Sequence, residues 1–119
     1  MSSYGEAGVS LAKAEEVVER LRAAVESTRT ERVEGSLGAF AGLFTLDEER
    51  LLAATTDGVG TKLILSRRAG RLFDAGVDLA AHCANDLATT GAEPLVFLDY
   101  AAAAELDLAE VADLVAGAA

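Results

Sequence analysis

Residues 55–62 read TTDGVGTK: an acid, two glycines and a lysine set between a strand-like run and a helical pattern. That order forces a strand, a tight turn and a helix in immediate succession. It also gathers one kind of chemistry. A carboxylate such as Asp57 holds a hard divalent cation through oxygen. Glycines such as Gly58 and Gly60 let backbone N–H groups approach phosphate, and Lys62 adds a point charge. Asp-Gly is equally a common chain reversal, so the segment by itself leaves two readings open, a phosphate turn and a plain hairpin.

The rest of the chain predicts a single α/β domain of the α+β kind. It has a mixed sheet with helices packed on one face. Residues 1–9 read as an extended arm and 10–119 as the core. From Ser10, a suitable N-cap, Leu11, Ala14, Val17, Val18, Leu21 and Val25 recur at helical spacing. Residues 27–34 read as a polar connection. The segment GSLGAFAGLFTL at 35–46 predicts a mobile Gly-Ser lead-in to a strand, Asp47 to Arg50 a charged turn, and Leu51 to Thr56 an antiparallel return strand. A short helix follows from Lys62 to Arg71, ending near Gly70. Residues 75–90 predict a longer helix, closed by Gly91 and Pro94. Leu95 to Tyr100 is apolar enough for a strand buried on both faces. Asp107 then caps a last helix whose pattern still runs at Ala119, so the sequence reads as a domain incomplete at its C-terminal end.

Composition narrows the partners. Twenty acidic residues against ten Lys plus Arg give a net charge of −10, a surface that repels nucleic acid and anionic lipid. No apolar stretch is long enough to span a bilayer, and the N-terminus lacks the pattern of a signal peptide. The single cysteine, Cys83, excludes an internal disulfide and fits a reducing cytoplasm. Its apolar neighbours make it a buried, inert thiol.

On the helix of residues 75–90, Asp78, His82, Asn85, Asp86 and Thr89 form one polar stripe. Asn85 and Asp86 offer the oxygen donors that magnesium takes, although a polar stripe also simply faces water. Asp78, His82 and Asp86 at i, i+4 and i+8 have the spacing of a zinc or iron site, yet a lone histidine on such a face is usually just solvated. The glycine-bearing segment 35–42 is suited to close over phosphate, or to pack closely within a sheet. No nucleophile–base pair can be assembled around one histidine, so no catalytic residue is assigned.

Taken in order, YGEAGVSLAKAE, GSLGAFAGLF, TTDGVGTK, GVDLAAHCANDLATTGAEPLVFLDY and LDLAEVADLVAGAA resemble the N-terminal domain of the phosphoribosylformylglycinamidine cyclo-ligase family. These are the aminoimidazole ribonucleotide synthetases of purine biosynthesis. The resemblance implies a cytoplasmic homodimer joined by sheet pairing, a C–N bond-forming ligase that uses ATP and Mg²⁺, and formylglycinamidine ribonucleotide as substrate. ATP would phosphorylate the formyl amide oxygen, and an amidine nitrogen would then close the imidazole ring. It implies metal ligation by Asp57, Asn85 and Asp86. It implies nucleotide contacts from Gly35, Ser36, Gly38, Thr56, Asp57, Gly58, Gly60 and Lys62. Three departures stand out. Ser36 and Ala39 replace glycines of the family's GGLGGF-like loop, which predicts a restricted φ there. His82 stands where the family has an apolar residue. The family enzyme also continues well beyond 119 residues, so activity is expected of a longer chain. The alternatives are a related ATP-binding protein, such as thiamine-monophosphate kinase, selenophosphate synthetase or a hydrogenase-maturation protein, and a non-catalytic dimerisation module.

Overall fold

The computed structural model describes residues 11–103, 105 and 107–119. The expected arm at 1–9 and the expected cap at Ser10 lie outside them. The element order is α1 (Leu11–Glu26), β1 (Val33–Glu34), β2 (Gly42–Thr45), β3 (Leu51–Ala54), α2 (Lys62–Arg68), α3 (Leu72–Ala88) and α4 (Leu108–Ala118). The class is α+β.

The three strands form an antiparallel sheet in the order β1-β2-β3. Between β2 and β3 the register sets Gly42 against Ala54 and Thr45 against Leu51. The turn between them is built by Asp47, whose Oδ1 accepts from the Glu49 and Arg50 amides at 3.2 and 2.9 Å. The Arg50 guanidinium also pairs with its Oδ2. Strand β1 falls in the segment read as a polar connection. Arg32 makes it possible: its guanidinium donates to the Thr45 and Leu46 carbonyls at 2.8 and 2.9 Å and lies 4.6 Å over the Phe44 ring. A two-residue strand has no periodicity to read, so only these long-range bonds reveal it.

Among the described residues the sheet is wholly antiparallel, not mixed. The expected strand at Leu95 to Tyr100 carries no regular structure, and Leu95, Leu98 and Tyr100 are 80, 87 and 91% exposed. A strand exists by hydrogen bonding to a neighbour, and none of the described strands pairs with this segment. Its apolar run therefore lies open instead of buried.

The helices pack mainly on one another, α3 against α4 and α2, rather than covering a sheet face. Leu72, Ala75, Gly76 and Cys83 of α3 are buried, and this helix begins three residues before, and ends two before, the expected span 75–90. At its crossing with α4 the backbones nearly touch. A Cβ on Gly76 would come within 2.8 Å of the Ala118 nitrogen and closer still to the Leu114 carbonyl oxygen. A Cβ on Gly117 would come within 2.8 Å of the Phe73 carbonyl carbon. Glycine is the residue that permits this approach. Arg67 of α2 donates to Glu110 of α4 at 2.7 Å and closes the helical cluster.

Asp107 caps α4 as its sequence position indicated. In an extended conformation, it accepts from the Ala109 and Glu110 amides at 2.9 and 3.1 Å. Asp107→Ala is expected to lower stability by about 1 kcal/mol, with Asp107→Asn losing much less. Thermal denaturation of the two variants checks this, and equal losses would assign the effect to charge rather than to the cap.

The chain exposes 9612 Å², whereas a compact protein of this length exposes roughly 6,000 Å². Helix α1 contributes, with Val17, Leu21 and Val25 all open to solvent.

Candidate functional site

The loop 55–61 runs from the end of β3 to the start of α2, alongside the polar stripe of α3. Two of its residues and the first residue of α2 meet that stripe in order. Thr55 Oγ1 lies 3.1 Å from Asp86 Oδ2, Asp57 Oδ2 lies 3.7 Å from His82 Nδ1, and Lys62 Nζ donates to Asp78 Oδ2 at 2.5 Å. The helix positions used are i, i+4 and i+8, so one face of α3 receives the whole loop. The loop advances toward α2 as α3 is followed back toward its N-terminus. The spacing of Asp78, His82 and Asp86 was visible in the sequence as a stripe. What the sequence did not show is that this stripe holds the loop instead of facing water.

Each rung has a local cause. The Thr55 hydroxyl has a single proton, shared between Asp86 and the Phe40 carbonyl at 2.8 Å. It therefore joins three candidate parts: the glycine segment, the loop and α3. Asp57 Oδ1 accepts from the Gly58 amide at 2.6 Å, which orients the carboxylate at the head of the glycine turn. The Lys62 ammonium beside Asp78 holds that carboxyl below the ordinary value of 3.8, with a smaller contribution from His82. A depressed carboxyl stays ionised above that value. The Asp78 carboxylate is therefore ionised beside Lys62 at neutral pH, and the pair is lost as acid titrates Asp78.

Gly35, Gly38 and Gly60 take φ of 77, 102 and 64°, the left-handed region that a side chain disfavours. Ser36 and Ala39 do not, since no non-glycine residue among the described ones has positive φ. The two departures from the glycine-rich pattern thus add no backbone strain. A shallow, open groove of about 410 Å³ is lined by Ala39, Phe40, Ala54, Thr55 and Thr56. It lies between the glycine segment and the head of the loop.

The expected metal ligands are only partly assembled. Asp57 and Asp86 both face the loop–α3 seam, while Asn85 is exposed at the opposite edge of the same stripe. No three His, Cys, Asp or Glu side chains among the described residues form a metal-holding group, which removes the zinc or iron reading for Asp78, His82 and Asp86 there. The oxygen-only set of Asp57, Asn85 and Asp86 suits magnesium, which binds through one or two carboxylates and completes its shell with water and phosphate. Cys83 is a buried free thiol, as expected. No described helix is long and apolar enough to cross a membrane. Thr55 was not singled out from the sequence, and Asp78 and His82, weighed there only as stripe or zinc residues, instead hold the loop and Lys62.

Residues 38–119 match the family described as AIR synthase related protein, N-terminal domain. The chain is similar to proteins named phosphoribosylformylglycinamidine cyclo-ligase. It is 50% identical to one from Synechococcus sp., over 98% of this chain and 35% of the relative. It is 46% identical to one from Synechocystis sp., over 96% and 34%, and 44% identical to one from Limosilactobacillus fermentum, over 100% and 36%. The chain thus spans about a third of the length of the curated relatives it matches. With the family match covering most of its residues, the chain belongs to the AIR synthase related proteins, as an N-terminal domain of that family.

Proposed function

We propose that this chain is the leading ATP-binding and dimerisation domain of a cyclo-ligase that converts formylglycinamidine ribonucleotide to aminoimidazole ribonucleotide in the cytoplasm. The observation that carries the reading is the segment 55–62, laced to α3 through Asp86, His82 and Asp78 beside an open groove. Acid, glycine turn and lysine are there held on one scaffold, which is what positioning a phosphate chain requires. The names of the relatives favour the cyclo-ligase over a kinase or selenophosphate synthetase of similar architecture.

In this reading the groove takes the nucleotide between the glycine segment and the strand end. Gly58 and Gly60 offer backbone N–H groups to phosphate, with Thr56 beside them, and Gly35, Ser36 and Gly38 close from the other side. Lys62 neutralises phosphate charge, and Asp57, Asn85 and Asp86 hold magnesium. Bound ATP supplies the phosphoryl group that turns the substrate's amide oxygen into a leaving group. The 9612 Å² of exposed surface supports pairing of the sheet with a second copy and packing against the remainder of a longer polypeptide. The Leu95–Tyr100 segment, apolar and exposed, is a surface for such packing.

Calorimetry of ADP binding to the full-length protein, with and without magnesium, tests the proposal. Magnesium-dependent binding is the expected result. No heat of binding under either condition would overturn the nucleotide reading.

A further inference from the structure

Lys62 is the first residue of α2, a position where the helix dipole disfavours a cation. Its side chain is long and flexible, so a fixed position needs an anchor from elsewhere in the fold. Asp78, sixteen residues along the chain, lies 2.5 Å from Nζ, and both side chains remain nearly half exposed. An ammonium has three N–H donors, and this contact uses one. We infer that Asp78 is a positioning residue for Lys62, holding the ammonium at the outlet of the glycine turn with two donors left for an anionic ligand.

Three features support the assignment. The pair is the third rung of an ordered set, so the same helix face that meets Thr55 and Asp57 also fixes Lys62. Asp78 stays ionised through the neutral range, its carboxyl lowered chiefly by the Lys62 hydrogen bond. Asp78 also sits on α3 two residues beyond Gly76, whose backbone is pressed against α4. The anchor therefore belongs to the helix that carries most of the buried residues among the described ones. The inference rests on the nucleotide reading above and names the residue that aims its lysine.

The test compares ADP with adenosine as ligands of the full-length protein at fixed magnesium, by calorimetry. Asp78→Asn is expected to weaken ADP about threefold to fivefold, the scale of a well-placed exposed ion pair, and to leave adenosine unchanged. Asp78→Glu should restore part of the loss. In a Lys62→Met background, Asp78→Asn should have no further effect. Equal weakening of ADP and adenosine would overturn the inference by showing a general structural role. Tighter ADP binding by Asp78→Asn would overturn it too, making Asp78 a competitor for the ammonium. A wild-type protein that bound no ADP would remove the nucleotide reading and this inference with it. Wild-type binding matched by Asp78→Asn would remove the inference alone.

Discussion

Gly117→Ala is expected to destabilise the protein by about 2 kcal/mol or more, and Gly76→Ala by a similar amount. Two effects compete at these positions. Within a helix, alanine is favoured over glycine by about 1 kcal/mol, so an unobstructed site would gain. Overpacking costs about 1–3 kcal/mol, and the upper end applies where the obstacle cannot rotate away. Here the obstacles are backbone: the Phe73 carbonyl for Gly117, and the Leu114 carbonyl with the Ala118 nitrogen for Gly76. Relief requires α3 and α4 to separate. That seam adjoins Leu72 and Ala75, two of the few buried apolar side chains among the described residues. Gly58→Ala is the control, since nothing lies within 4 Å of its added Cβ and its φ is not positive. Denaturant midpoints of the three variants decide the matter. A shift for Gly117→Ala no larger than for Gly58→Ala would show that the helices slide apart at little cost.

The second large effect concerns Asp57. Asp57→Asn keeps an oxygen acceptor for the Gly58 amide, which Asp57 now meets at 2.6 Å, so the turn should survive. The substitution removes the charge that attracts magnesium. Contacts to charged groups contribute about 1.5–3 kcal/mol, which corresponds to roughly tenfold to a hundredfold weaker magnesium-dependent ADP binding. Affinity measured without magnesium should stay level. Calorimetry on the variant checks both halves. Unchanged magnesium dependence would remove Asp57 from the metal site and leave it as a turn residue with a histidine partner.

Local chemistry made much of this fold legible. Valines and leucines at helical spacing announced α1, and Asp107 announced the start of α4. Asp47 and Arg50 marked the hairpin turn between β2 and β3. The failures share a physical cause, distance along the chain. Strand β1 is made by Arg32 reaching the Thr45 carbonyl, and nothing near Val33 signals it. Leu95 to Tyr100 has the composition of a buried strand, but pairing is a property of two segments and a single run cannot reveal its neighbour. The site divides in the same way. Asp57, Gly58, Gly60 and Lys62 stand together in the sequence. Their partners on α3, from Asp78 to Asp86, come into contact only once sixteen to thirty-one residues have folded back. Ser36 and Ala39 look damaging beside a run of glycines, yet the backbone asks for glycine only at Gly35 and Gly38 in that segment.

Helix α3 serves two masters on opposite sides of one cylinder. Gly76 addresses α4, and Asp78, two residues later and about 200° around the axis, addresses the loop. The count of residues between these addresses fixes which face meets which partner. One codon gained or lost between Gly76 and Asp78 would turn every downstream rung by about 100° while leaving composition, charge and hydropathy nearly untouched. The spacing between the two addresses is therefore as much a part of the site as the side chains themselves.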